Sequence, residues 1–158
     1  MQFKGLAYIA AASVVVAGCT SGGSTGGLDV EQQFSVALLP ANEVPAPKPT
    51  IASGSADVVV YSDRIDFQLT GTNITGIIMA HIHSGAVGVA GPIIVTLYNP
   101  PVESGPVNGV FVSGSLNSTN LPAGVTLASL KTLLASGNAY VNVHTTANPS
   151  GEIRGQLK

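Results

Sequence analysis

Hydrophobic and polar residues alternate one for one over much of this chain. From Ser55 to Tyr61, Ala56, Val58 and Val60 fall on one face; after Ser62-Asp63, Ile65, Phe67 and Leu69 oppose Asp66, Gln68 and Thr70. A period of two is that of a strand, whose side chains point alternately to opposite faces. Two such runs across a short polar turn predict an antiparallel hairpin with one buried and one wet face. A strand is predicted before it over Gln33–Leu39, ended by a cluster of Pro40, Pro45, Pro47 and Pro49 that cannot donate to a sheet ladder and so predicts a fixed loop. Further strands are predicted over 74–83, 93–98, 107–116, 138–144 and 152–157, the glycines of 107–116 favouring a bent or edge position. Helical spacing appears at Leu127, Leu130, Leu133 and Leu134, with Gly137 placed to end the helix. About eight strands with short turns, one long crossover and one short helix predict an all-β, Greek-key β-sandwich or barrel.

Composition agrees: nineteen glycines, ten prolines and no tryptophan in 158 residues suit a β-domain with many turns. Roughly 130 folded residues bury a sufficient core without disulfides, and the single cysteine, Cys19, cannot form an internal bridge. A net charge of −2 leaves no basic stripe for nucleic acid. The glycine loop Gly85–Gly91 leads through Pro92 into a strand, not a helix, so the dipole and amide cradle of a nucleotide site are missing. Those glycines instead permit positive φ or close packing. With no Gly-x-Ser-x-Gly elbow in the β-domain, nucleophilic catalysis has no candidate there. Asp63 and Asp66 read as solvated charge rather than as a paired acid and base.

The amino terminus carries an address. Lys4 precedes an apolar run from Gly5 to Val16, the length of a signal-peptide core and too short to span a bilayer. It ends in Val16-Ala17-Gly18-Cys19, which resembles the lipobox of bacterial lipoproteins. Residues 1–18 are then a lipoprotein signal peptide, Cys19 is the lipidated residue, 19–28 form a Gly/Ser-rich tether, and 29–158 form the β-domain. Two or more acyl chains supply stable anchoring. With no aspartate after Cys19, the resemblance implies a cell-envelope protein, held at the outer rather than the inner membrane if the cell is Gram-negative, on its periplasmic or surface face.

The candidate chemistry lies in three histidines. His81 and His83, at i and i+2 in a strand, project to one face with Cα atoms roughly 6.5–7 Å apart. Strand alternation groups Ile78, Ala80 and Ile82 on one face and Ile77, Met79, His81 and His83 on the other, while Val141 and Val143 oppose Tyr140, Asn142 and His144. If both aliphatic rows enter the core, His81, His83 and His144 share the other, partly wet side. Three neutral imidazoles suit copper or zinc, with an open position for water. Asn142 and Tyr140 are candidate supporting hydrogen-bond partners, and Met79 is a packing residue that copper(I) can also use. The alternative is that each histidine hydrogen-bonds a loop carbonyl and fixes the glycine turn. Glu152 and Arg154, on one face of the last strand, pair with each other or a neighbour, or Arg154 directs an anion toward the histidines.

Four motifs carry a family resemblance: Ala41-Asn42-Glu43-Val44-Pro45; Ala80-His81-Ile82-His83-Ser84-Gly85 with Gly88 and Gly91-Pro92; Tyr140-Val141-Asn142-Val143-His144-Thr145; and Gly151-Glu152-Ile153-Arg154-Gly155-Gln156-Leu157. From about Phe34 to Leu157 the chain resembles the CHRD domain, named for chordin. The resemblance implies an extracytoplasmic β-domain acting as a binding module for a protein partner, as chordin binds growth factors; it implies no bacterial activity. A fainter likeness is to copper/zinc superoxide dismutase, in which a His-x-His strand, a later Val-His strand and an arginine near the carboxyl end correspond to His81, His83, His144 and Arg154. That likeness implies a metal-dependent oxidoreductase, against which stand the missing bridging histidine, zinc-ligand cluster and disulfide, and the short span from His144 to Arg154.

Overall fold

A computed structural model describes residues 29–158. The signal peptide, Cys19 and the tether expected over 1–28 lie outside the described residues. Eight strands follow in order: β1 (Val30–Leu38), β2 (Ser53–Tyr61), β3 (Arg64–Ile74), β4 (Ile77–Ser84), β5 (Ile93–Tyr98), β6 (Val107–Asn117), β7 (Ala139–Thr145) and β8 (Ile153–Leu157), with helix α1 (Leu127–Ala135) between β6 and β7. They form two antiparallel four-stranded sheets, ordered β1-β2-β3-β6 and β5-β4-β7-β8. The chain crosses between sheets after β3, after β5 and, by way of α1, after β6. The sheets pack as a sandwich and neither closes into a barrel.

The hairpin read from alternation is β2–β3, with Val58 opposite Phe67 and Val60 opposite Ile65. Ala56, Val58, Val60, Ile65 and Leu69 of the first sheet meet Ile77, Ala80, Ile82, Val141, Val143 and Ile153 of the second, all fully buried. Each such aliphatic side chain contributes about 1.5–3 kcal/mol relative to leaving it in water. The glycine-interrupted β6 is an edge strand, as expected. Helix α1 closes one end of the core with Leu130 and Leu134. Thr126 and Ser129 cap its first turn reciprocally, each side chain bonding the other's backbone N–H at 3.0 Å.

Three expectations need correction. The first strand begins at Val30, three residues before the alternating run. The run 74–83 is not one strand: the backbone passes through left-handed conformations at Asn73 and Gly76, so Ile74 ends β3 and Ile77 opens β4 in the other sheet. Between Ile77 and Met79 the register against β7 slips by one residue, leaving Ile78 as a bulge. Ile77, not Ile78, therefore joins Ala80 and Ile82 in the core.

Candidate metal centre

Strands β4 and β7 are neighbours. Their register sets Met79 opposite His144, His81 opposite Asn142 and His83 opposite Tyr140; β8 then adds Arg154 beside Asn142 and Gln156 beside Tyr140. Directly opposed residues share a face. Once Ala80, Ile82, Val141, Val143 and Ile153 turn inward, the outer face of this sheet must carry the three histidines with Tyr140, Asn142, Arg154 and Gln156. One ring nitrogen from each of His81, His83 and His144 lies within 4.8 Å of the others. Residues far apart in the chain thus converge on adjoining strands.

This face was expected to be partly wet, and it is not. His81, His83 and His144 are 2 %, 7 % and 7 % exposed, and Asn142 and Arg154 are equally buried. Three loops roof it. In the glycine loop after β4, the Gly91 carbonyl accepts from His83 Nδ1 at 2.9 Å and the Gly91 N–H donates to the Tyr140 hydroxyl at 3.0 Å. A side chain at Gly91 would run into the Ser84 carbonyl, so the loop closes this tightly only with glycine there. Arg154 Nη2 donates to the carbonyls of Val89 and Ala86, at 2.9 and 3.2 Å, and Gln156 Nε2 to that of Gly85 at 2.9 Å. The turn after β7 supplies the Pro149 carbonyl to His144 Nδ1 at 3.0 Å. The proline loop after β1 folds over the same sheet, bringing a buried Glu43 against Gly151 and pinning itself through Asn42 Nδ2 to the Arg154 carbonyl at 3.0 Å.

These carbonyls fix the protons. A carbonyl only accepts, so His83 and His144 each carry hydrogen on Nδ1 and present a bare Nε2. His144 Nε2 lies 3.0 Å from His81 Nδ1, which without a metal must be the donor. His83 Nε2 is buried and makes no hydrogen bond, although the Asn142 amide lies near the ring. An unpaired buried nitrogen beside a second lone pair is costly, and a cation satisfies both. With metal–nitrogen bonds of roughly 2.0–2.1 Å, the ligand atoms of a tetrahedral site stand roughly 3.3 Å apart. Closing from within 4.8 Å to that spacing requires the side chains to shift and His81 to move its single proton from Nδ1 to Nε2. The residues present therefore fit a transition metal.

Burial also keeps the imidazoles neutral. Desolvation, with His144 and His83 adding to it, pushes His81 down to about 4, and desolvation lowers His83 and His144 as well. Neutral imidazoles are the form that binds metal. Desolvation drives the Glu43 carboxyl the other way, up to about 7, against the pull of Arg154.

Of the supporting residues expected from the sequence, Tyr140 stacks its ring on His83, centroids 4.8 Å apart and planes 11° from parallel, while its hydroxyl serves the loop. The Asn142 amide lies close to both His83 and Glu43 and favours the charged form of each. The Arg154 guanidinium also stacks on the Tyr140 ring, 3.3 Å from its centroid, and ties down the glycine loop. The expected pairing of Arg154 with Glu152 is not found: Glu152 accepts from Thr50 Oγ1 at 2.6 Å and from Thr145 Oγ1, because the strand begins at Ile153 and Glu152 still belongs to the turn. Asp63 and Asp66 are surface partners of Arg64. The alternative expectation, that the histidines bond loop carbonyls, holds for His83 on Gly91 and for His144 on Pro149; the sequence gives Glu43 no role beyond its place in a family motif and does not single out which carbonyls are used, because no periodic pattern marks them.

No curated protein and no solved structure matches this chain. The model of the CHRD domain matches residues 34–157, which take in every strand from the middle of β1 to the end of β8 and all the residues of the site, and the chain belongs to the CHRD domain family.

Proposed function

We propose that this protein is a lipid-anchored binding module of the cell envelope that holds one transition-metal ion on His81, His83 and His144. The observation that carries the metal is the meeting of three buried, neutral imidazoles whose ring nitrogens lie within 4.8 Å of one another, the Nε2 of His83 making no hydrogen bond. An all-imidazole set with no thiolate or carboxylate suits copper first, the tightest binder of the divalent series, and zinc second. Tyr140, Asn142 and Arg154 support the ligands by stacking, by the amide beside His83 and by fastening the loop roof. The lipobox-like Val16-Ala17-Gly18-Cys19 supports an acyl anchor, with 20–28 as the tether that holds the domain off the outer membrane.

Elemental analysis of the purified full chain, beside a His81→Ala, His83→Ala, His144→Ala variant, tests the site. One equivalent of copper or zinc in the parent, lost in a variant with the same circular dichroism, is the expected result; a parent that takes up neither metal overturns it. Replacement of Cys19 by alanine should release the protein from membranes, and an acyl-labelled Cys19→Ala protein refutes the anchor. A second reading, a metal-dependent oxidoreductase of superoxide dismutase type, draws on one observation: three protein ligands leave a coordination position for a small molecule. Superoxide turnover by copper-loaded protein decides between the two.

A further inference from the structure

Beside the roofed histidines lies a separate cavity of about 450 Å³. Val36 and Ala37 of β1, Ala41 and Val44 of the proline loop and Val87 of the glycine loop form its walls, with Arg154, Gln156 and Lys158 also lining it. Its volume falls in the range of small-ligand sites. The apolar part is not satisfied by the protein itself, since Val44 and Val87 stand 37 % and 63 % exposed.

The polar part is unbalanced as well. Arg154 is 2 % exposed, yet no carboxylate forms an ion pair with it among the described residues. Its Nη2 is used on two loop carbonyls, while Nη1 has no partner. The Oε1 of Gln156, whose Nε2 is likewise spent on the roof, is also unpartnered. Glu43, the nearby acid, is a weak counter-charge because burial favours its neutral form. A buried guanidinium short of both a hydrogen-bond acceptor and a negative charge is costly to maintain, and a carboxylate supplies both at once.

We propose that this cavity binds a small organic carboxylate with a short apolar chain, the carboxylate toward Arg154 and Lys158 and the chain against Val36, Val44 and Val87. The site does not depend on a metal: its lining contains none of the three histidines.

The test titrates the purified full chain with hexanoate, acetate and 1-hexanol, following the backbone amide resonances of Val36, Ala41, Gly88 and Gln156. Hexanoate is expected to saturate with a Kd on the order of 1 mM, acetate to bind about tenfold more weakly for want of the apolar chain, and hexanol to cause no saturable shift. Arg154→Gln should weaken hexanoate about tenfold. Because Arg154 also fastens the glycine loop, a second variant is needed: Ala41→Trp, at an exposed wall position, fills the cavity and should abolish the shifts while leaving metal uptake intact. The proposal is overturned by hexanol binding as well as hexanoate, by hexanoate binding that survives Ala41→Trp, or by no saturable shift in the parent up to about 20 mM.

Discussion

The two sheets of the sandwich are written in the same alternating code and end in different environments. On the outer face of the β1-β2-β3-β6 sheet, polar groups meet water: Ser35 bonds Asp57 at 2.6 Å across exposed strands, and Arg64 pairs with Asp66 at the surface. On the outer face of the β5-β4-β7-β8 sheet the polar groups of the inner strands are sealed: the histidines, Asn142 and Arg154 are buried and so is every residue of β7, while Thr96 on the edge strand β5 stays exposed. Alternation decides which side of a strand carries polar side chains. Whether that side stays wet depends on loops that arrive from elsewhere in the chain. Under a roof, the same kinds of group behave differently: imidazoles stay neutral, an acid is pushed up to about 7, and hydrogen bonds strengthen as the local dielectric falls.

Each sheet offers an arginine stacked on a tyrosine, and this pair gives the sharpest contrast. Arg154 sits 3.3 Å from the Tyr140 centroid under the roof; Arg64 sits 4.2 Å from that of Tyr61 in the open. Arg154→Ala should cost on the order of 3 kcal/mol in urea unfolding, since it removes the bonds that hold the loop carbonyls of Ala86 and Val89 and the packing of a buried side chain on Tyr140. Arg64→Ala should leave the midpoint unchanged. Equal losses in the two variants would show that the roof adds nothing.

Next in size is the response to acid. Imidazoles of the unfolded chain titrate near 6.5, but His81 in the folded protein titrates near 4, and His83 and His144 are also lowered. Between those values the unfolded chain holds the extra protons, so the stability contributed by the neutral trio is complete above about 6.5 and is lost as the pH falls toward 4. The loss should be on the order of 2 kcal/mol, reduced by partial solvent screening. Urea midpoints across this range should slope in the parent and flatten in the triple alanine variant. Glu43 acts in the opposite sense: its carboxyl rises from 4.5 to about 7 on folding, so its contribution is full below 4.5 and is lost as the pH rises through 7. Glu43→Gln should remove that decline on the alkaline side.

Gly151→Ala tests how tightly the roof fits. Its φ is +129°, and an added Cβ would lie 2.5 Å from Glu43 Oε1. A loss of about 1–2 kcal/mol is expected, with Glu43 displaced. The smallest effect belongs to Tyr140→Phe, which keeps the ring on His83 and removes the acceptor of the Gly91 N–H together with a longer O–H donation to the Gly91 carbonyl at 3.4 Å. It should cost about 1 kcal/mol, read as faster hydrogen exchange at Gly91 with the rest of the sheet unchanged.

Much of this was legible in the sequence for a definite reason. Ala56, Val58 and Val60 against Ile65, Phe67 and Leu69 announce a hairpin because the strand period is local. His81, His83 and His144 share a face because Ala80, Ile82, Val141 and Val143 must share the other. What stayed hidden is not local. Nothing at Ile78 announces a bulge, because the slip exists only against the β7 register. Glu43 looks like one more loop acid until Gly151 and Asn142 are brought against it by the end of β1 bridging to β8, Leu39 opposite Arg154. The bonds of the Gly91 and Pro149 carbonyls come from backbone groups that every residue carries, so composition cannot single them out.

The pairing of β4 with β7 joins residues 63 positions apart at the middle of a sheet, with His81 and His144 at the seam. An ion bound as proposed would rivet that seam. In a folded domain without cysteine, it is the one cross-link that can be fitted and withdrawn without covalent chemistry. Resistance to pulling and to protease digestion would then be a property that a chelator switches off.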